Sequence, residues 1–327
     1  MNEEIKWIRS ITPSGYRQPE LKVGIGDDAA IFYQKEDKDT VIAVDTMVEG
    51  VHFKRETMPL HAIGHKALAA NISDLAAMGA IPQYYLVSVA FPKKTWNKEE
   101  LHEIYRGMAN LAKEFSMDLI GGDTVSIEKQ LVLTVTVIGK IKQNRHLLRS
   151  NARPGDVVFV TGLVGLASLG LEMLLEDGLA AANDAANAQY IKAHQEPQPQ
   201  LRAGLLFAES GFRMALNDIS DGLASEAKEI AEASQVDIEL DWARIPTTDY
   251  IQSHSTQKQE SWLLYGGEDY QLLGTVSEED WKSLQLMFRK ATLPLYEIGT
   301  VRAGNGRVAM ERDGSSTVIT ATGYDHL

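Results

Sequence analysis

The sequence predicts an α+β protein of two domains, each mixing helices with strands. Three observations carry this. The chain has 327 residues, more than one hydrophobic core usually serves. Short β-rich apolar runs alternate with Ala- and Leu-rich stretches of helical spacing in both halves. A polar, basic stretch over residues 140–154 runs into Arg153-Pro154-Gly155-Asp156 and supplies a natural boundary. The expected domains are residues 1–142 and 143–327.

In order along the chain, Val41-Ile42-Ala43-Val44 predicts a short strand ending on Asp45. Residues 60–79 predict a helix, with Leu68, Ile72 and Leu75 on one stripe. Residues 85–91 are β-rich and stop at Pro92. A helix follows over 98–115, with Asn97 as its N-cap. Residues 131–138, where Val and Thr alternate, form the clearest strand. Beyond the boundary, Asp156-Val157-Val158-Phe159-Val160-Thr161-Gly162 predicts a strand entering a Gly-rich turn. Residues 178–200, rich in Ala, Asn and Gln, with Pro197 and Pro199, read as a surface helix and connector. A helix is expected over 221–233, and strands over 236–240, 294–301 and 307–311.

Composition narrows the function. Hydrophobic residues make up 44% and charged residues 24%, as in an ordinary soluble globular protein. A net charge of −13 opposes nonspecific nucleic-acid binding, which needs a basic footprint. The absence of cysteine excludes disulfides, thiolate catalysis and Cys-ligated metal sites. Residues 1–10 do not resemble a secretory signal, and no apolar run is long enough to span a bilayer, so the cytoplasm is expected.

Carboxylates recur beside glycines and at expected strand ends. The clusters are Gly24-Ile25-Gly26-Asp27-Asp28, Val44-Asp45-Thr46, Asn71-Ile72-Ser73-Asp74, Gly121-Gly122-Asp123-Thr124, Asn217-Asp218-Ile219-Ser220-Asp221-Gly222 and Gly266-Gly267-Glu268-Asp269. Mg²⁺ prefers oxygen ligands and is commonly held by a few carboxylates together with substrate phosphates. Six such clusters point to several Mg²⁺ ions and a phosphate-rich substrate. This also reconciles an acidic chain with anionic ligands.

Each residue has a plainer role to weigh. Asp45 fits a turn. Asp74 shares a helix face with Asn71 and fits a solvated face, although Lys and Glu are missing from it. Asp218, Ser220 and Asp221 each suit a helix cap, but one cap needs one residue. Asp27 and Asp28 repel unless cations screen them. Arg149 suits phosphate through its planar fork, or is a solvated linker charge. His52 is either a site residue or a hydrogen-bonded loop histidine.

Other chemistries fit poorly. Gly24-Ile25-Gly26 places two aspartates where a dinucleotide pyrophosphate would sit. No Gly-x-x-x-x-Gly-Lys-Ser/Thr run is present. His61 and His65 have i,i+4 spacing without the His-Glu-x-x-His context of zinc hydrolases.

Taken in order, segments 24–30, 45–53, 71–80, 121–124, 218–223 and 266–270 and the terminal Gly323-Tyr324-Asp325-His326 resemble the thiamine-monophosphate kinases. These belong to the aminoimidazole ribonucleotide synthetase-like superfamily. The resemblance runs through nearly the whole chain. It implies two α/β domains, with an N-terminal dimerisation and metal/ATP-binding domain that builds a shared β-barrel in a homodimer. The C-terminal domain completes the ATP and substrate cleft. The implied reaction is phosphorylation of thiamine monophosphate by ATP. The implied metal ligands are Asp28, Asp45, Asp74, Asp123, Asp218 and Asp221. ATP contacts fall on Tyr105, Gly122, Asp123, Arg149 and Ser220, and substrate contacts on His52 and Glu268.

The chain departs from the family at two places. Ala43 and Val44 stand where some members carry a hydroxyl residue. Thr320-Ala321-Thr322 stands where some carry a Trp, which leaves Tyr324 as an aromatic candidate for thiamine. No covalent nucleophile or general base is implied, because a phosphate oxygen of the substrate attacks. Two alternatives remain at this level: another ATP-using member of the superfamily, and a non-catalytic metal- or nucleotide-binding module.

Overall fold

A computed structural model describes residues 10–23, 31–33 and 37–319. Asp28, Tyr324 and the terminal Gly-Tyr-Asp-His lie outside the described residues. The first half contains β1 (Leu21–Val23), β2 (Ile31–Phe32), β3 (Lys38–Val48), α1 (Leu60–Ala77), β4 (Ile81–Phe91), α2 (Lys98–Glu114), β5 (Asp118–Ser126) and β6 (Val132–Lys142).

Strand β6 shows why the sheet forms. Leu133, Val135, Val137 and Ile141 are buried on one face, while Thr134, Thr136 and Ile138 alternate with them on a more open face. It pairs antiparallel with β3 on one side and β4 on the other, giving a sheet of order β3-β6-β4-β5. β5 runs parallel to β4, which requires a crossover, and α2 supplies it. Asn97 caps α2 with a full capping box, as expected: its side chain accepts from Glu100 N–H at 2.9 Å, and Glu100 reaches back to Asn97 N–H.

Helices α1 and α2 cross at backbone contact. A Cβ on Gly64 would lie 1.8 Å from the Ile104 carbonyl oxygen, and one on Gly107 would lie 1.8 Å from the His61 oxygen. Each glycine is the only residue its partner helix tolerates there. α1 also packs on β3, β6 and the second domain, so it is buried on nearly every side.

The second half contains β7 (Val157–Val160), α3 (Leu166–Asp177), α4 (Ala188–Gln195), α5 (Leu201–Ser210), β8 (Met214–Asp218), α6 (Leu223–Ser234) and β9 (Val236–Asp241). There follow α7 (Asp249–Gln252), α8 (Thr256–Leu263), β10 (Leu272–Val276), α9 (Glu278–Lys290), β11 (Tyr296–Ala303), β12 (Val308–Arg312) and β13 (Ser315–Val318). Their sheet has the order β13-β12-β9-β11-β7-β10-β8. It is antiparallel except where β12 joins β9. One hydrophobic cluster, including Phe159, Phe207 and Leu68, continues from this sheet onto α1.

Two expectations change. Asp45 does not end a strand: β3 runs on to Val48, because β6 offers it eleven consecutive partners, and Asp45 pairs with Val135. Residues 178–200 are not merely a surface connector, since Tyr190, Ile191 and His194 of α4 are buried on one side of that helix. The four-stranded sheet is open, with β3 and β5 as edges, and no closed barrel forms among the described residues. Four strands are too few to close one, since about eight make a small filled barrel.

Candidate active-site cleft

A cleft of about 740 Å³ opens between the two halves. One wall is β3 with the loop after it and α1; the other is α3, α4 and the loops after β8 and before β10. Asp45, His52, Asp74, Asp218, Ser220, Asp221 and Glu268 all line it. Seven positions scattered over more than two hundred residues of sequence therefore share one space.

Three carboxylates crowd one end. The Asp45 and Asp74 side chains face each other closely enough to share a proton, and Asp218 lies within electrostatic range of both. Burial, then the Asp218 and Asp45 charges, pushes Asp74 up to about 8. Burial pushes Asp218 up to about 6, although the Ser73 hydroxyl donates to it at 2.7 Å. Burial raises Asp45 as well. Such a group needs either shared protons or a cation, and its all-oxygen donor set suits Mg²⁺. Among the described residues, no three carboxylates or imidazoles converge to metal-ligand geometry.

The loop after β8 is organised from beneath by a buried carboxylate that the sequence did not single out. Glu226 of α6 accepts from Asp221 N–H at 3.1 Å, from the Ser220 hydroxyl at 3.2 Å and from the Asn217 amide. Burial, then Asp218 and Glu229, pushes it up to about 8. The N-cap of α6 is Gly222, with no side-chain cap, so Asp218, Ser220 and Asp221 are not spent on capping. Arg149 donates to Asn217 at 2.9 Å and pairs with Glu229 at 3.0 Å. Its charge reaches Asp74 and Asp218, although its side chain is half-exposed.

On the opposite wall, His52 sits in a tight turn whose Gly50 has φ +85°. Its Nδ1 accepts from Val48 N–H at 3.0 Å, which places the proton of the neutral ring on Nε2. Glu49 anchors the turn, accepting from Trp96 Nε1 and Leu131 N–H, both at 2.9 Å.

Four expected ATP positions lie outside the cleft lining: Arg149, beside Asn217, and three of the first domain. Asp123 is exposed on edge strand β5 opposite Ser88, and its carboxylate accepts from Thr124 N–H at 2.8 Å. Gly122 precedes it; a Cβ there would lie 2.0 Å from the Val87 oxygen, so strand packing by itself requires glycine. Tyr105 faces a separate hollow of about 260 Å³ with Tyr85 and Arg17.

The Gly266-Gly267-Glu268-Asp269 segment threads between the loop after β8 and α3. Glu268 at φ +68° and Tyr270 at φ +49° are non-glycine residues in the left-handed region, a strain of about 1–3 kcal/mol each. Asp269 holds the segment in place. It accepts from Gly165 N–H at 2.6 Å and Ala167 N–H at 3.0 Å, capping α3 from over a hundred residues away. Asp269→Ala is expected to destabilise the fold by about 1–2 kcal/mol. Urea denaturation checks it, and a midpoint equal to the parent's contradicts the cap.

Known proteins resemble this chain over nearly its whole length. The AIR synthase related protein family matches through its N-terminal domain over residues 26–141 and its C-terminal domain over residues 153–311. A thiamine-monophosphate kinase of Bacillus subtilis (strain 168) is 46% identical over 327 residues, covering 99% of each chain.

The chain belongs to the thiamine-monophosphate kinase family.

The crystal structure of the family member from Stenotrophomonas maltophilia K279a superposes with a TM-score of 0.83 at 31% identity, covering 95% of this chain and 96% of that one. A second family structure, described as AaThiL complexed with AMPPCP and TMP, gives a TM-score of 0.77 at 29% identity, covering 93% and 92%.

Sequence inspection missed Lys66, Ser73, His194, Asn217 and Glu226. For Lys66 a signal was present: it is the one lysine or arginine inside an Ala- and Leu-rich helix, and a helix of small apolar residues packs closely on its neighbours and buries much of what it carries. Glu226 offered none, since a Glu in the first turn of a helix is ordinary.

Proposed function

We propose that the chain is an ATP-dependent kinase that converts thiamine monophosphate to thiamine diphosphate, with several Mg²⁺ ions. A phosphate oxygen of thiamine monophosphate forms a bond to the γ-phosphorus of ATP, and the bond from that phosphorus to the β-γ bridging oxygen breaks, leaving ADP. The attacking oxygen is already ionised at neutral pH, so no protein base or covalent nucleophile takes part. The observation that carries this reading is the crowding of Asp45, Asp74 and Asp218 at one end of a cleft lined at its other side by Glu268. The family's activity gives that cleft its substrates.

Asp28, Asp45, Asp74, Asp123, Asp218 and Asp221 would hold Mg²⁺, which would supply the charge neutralisation that two polyanions need. Around it, Arg149 adds a fixed positive charge for the nucleotide, and Ser220 offers a hydroxyl. Gly122, Asp123 and Tyr105, which stand outside this cleft lining, are the ATP contacts of the first domain, while His52, Glu268 and Tyr324 receive thiamine monophosphate. The two domains, divided near residue 142, contribute one wall each, which lets the cleft align both reactants.

The open sheet supports a homodimer with a shared barrel. Ile42 is 64% and Val44 58% exposed on edge strand β3, an apolar edge that a lone chain leaves in water. A second four-stranded sheet brings the total to eight. ATP as co-substrate fits a cytoplasmic location, and no described helix is long and apolar enough to cross a membrane.

The test is incubation with ATP, Mg²⁺ and thiamine monophosphate, with chromatographic detection of thiamine diphosphate. Stoichiometric ADP and thiamine diphosphate are expected. Absence of product under conditions where ATP binds rejects the reading.

A further inference from the structure

The cleft wall contains a buried lysine that touches no part of the carboxylate cluster. Lys66 of α1 is 0% exposed, in a helix buried on nearly every side. Burying an ammonium costs several kcal/mol unless a partner meets it. Here the partner is Glu268, across the domain boundary: Lys66 Nζ lies 2.5 Å from Glu268 Oε2. His194 of α4, itself 2% exposed, brings Nδ1 to 3.3 Å from the same oxygen. The Lys66 attraction is chiefly Coulombic, whereas burial and the Lys66 charge disfavour the charged form of His194, which meets the oxygen as a neutral ring. Three segments distant in sequence thus converge on one carboxylate, which is itself held at φ +68° and by its N–H to the Ser220 oxygen at 2.8 Å.

The trio is asymmetric with respect to the cleft. The Glu268 side chain is 26% exposed, against 1% for Lys66 and 3% for His194. A ligand in the cleft therefore meets the carboxylate and not the lysine behind it. A carboxylate repels a phosphate, so the substrate part that fits is the cationic heteroaromatic end of thiamine monophosphate, with its amino donors.

We infer that Lys66 and His194 are positioning residues that hold Glu268 as the acceptor for the heteroaromatic end of thiamine monophosphate. This rests on the reading of Glu268 as a substrate contact. Its electrostatics are consistent: although burial opposes the charge, Lys66 and His194 hold Glu268 down to about 2, so it is ionised at every working pH. The titratable groups around it are Lys66 on α1, His194 on α4, and its chain neighbours Asp269 and Tyr270.

The experiment compares Glu268→Gln, Lys66→Met, His194→Gln and the Lys66→Met/Glu268→Gln double variant in the full chain. Calorimetry gives affinities for thiamine monophosphate and for AMPPCP, and circular dichroism gives the fold. Lys66→Met is expected to weaken thiamine monophosphate by about tenfold or more, the scale of a charged hydrogen bond, with AMPPCP within about twofold. His194→Gln weakens the same ligand by a smaller factor. The double variant binds no worse than Glu268→Gln, because Lys66 acts through that carboxylate. It also restores folding if the lone Lys66→Met change leaves Glu268 buried and unpaired.

A pH series separates positioning from packing. Without Lys66, burial lifts the Glu268 carboxyl toward neutrality, so thiamine monophosphate affinity relative to the parent falls as pH drops from 8 to 6. Unchanged affinity in folded Lys66→Met, equal loss for both ligands, or additive losses in the double variant each overturn the inference. If Glu268→Gln leaves affinity unchanged, the substrate reading of Glu268 fails and the inference with it. If Glu268→Gln weakens binding while Lys66→Met and His194→Gln do not, only the inference falls.

Discussion

Asp74→Asn is expected to leave a folded protein whose turnover falls by about 10²–10³, the usual loss when one electrostatic stabiliser of a transition state is removed. The same change is expected to raise thermal stability in the absence of Mg²⁺. Asp74 is the most strained of the three crowded carboxylates: burial and the Asp218 and Asp45 charges push it up to about 8 from 3.8. The folded protein therefore binds its proton more tightly than the unfolded chain. Stability is full below the unfolded value near 4 and falls as pH rises through about 8, where Asp74 must ionise in place. Asp218 adds to the early part of that fall, up to about 6.

Two measurements check this. Melting temperatures in EDTA across pH 5–9 should slope downward for the parent and less steeply for Asp74→Asn. Mg²⁺ should lift the parent most at high pH, since it binds the folded state at carboxylates that are then ionised. Turnover near the parent's in Asp74→Asn, or parallel pH slopes, would sink the assignment of Asp74 to the ion-binding cluster. Sites that sacrifice stability for function commonly show this opposition of activity and melting temperature.

Gly107→Leu is expected to abolish folded, soluble protein, and Gly64→Leu likewise. At each position the new Cβ would start 1.8 Å from a carbonyl oxygen of the facing helix, backbone against backbone. No rotamer relieves a clash made by Cβ itself, so α1 and α2 must separate and open the core around Leu68, Ile104 and Met108. The consequence reaches the cleft, because α1 carries Lys66 and, two turns later, Ser73 and Asp74. Its crossing with α2 is what holds these groups against the second domain. Size-exclusion chromatography and circular dichroism of the expressed variants check this. A monodisperse, helical Gly107→Leu protein with a parental melting temperature would show that the helices have room to part.

Local elements were legible where chemistry and periodicity coincide. Asn97 with Glu100 three residues on is a capping box in sequence and in structure. The Val–Thr alternation of β6 is likewise a half-open strand in both. Elements lacking such a mark were missed: β8 and β10 are short runs buried on both faces, with no alternation to read. The strand through Asp45 was cut short because a carboxylate inside an apolar run resembles an ending. Its continuation depended on β6, almost a hundred residues later.

The sequence by itself determined the family and the supply of carboxylates, including Asp45, Asp74, Asp218 and Glu268, because short motifs of acidic residues and glycine are local properties of the chain. Only the tertiary structure decided which of them share a cleft, and that Glu268 stands apart with Lys66 and His194 while Asp45, Asp74 and Asp218 crowd together. The reason is physical. A carboxylate's charge state and partners depend on what burial and packing bring within a few ångströms, and here those neighbours come from segments as much as two hundred residues apart.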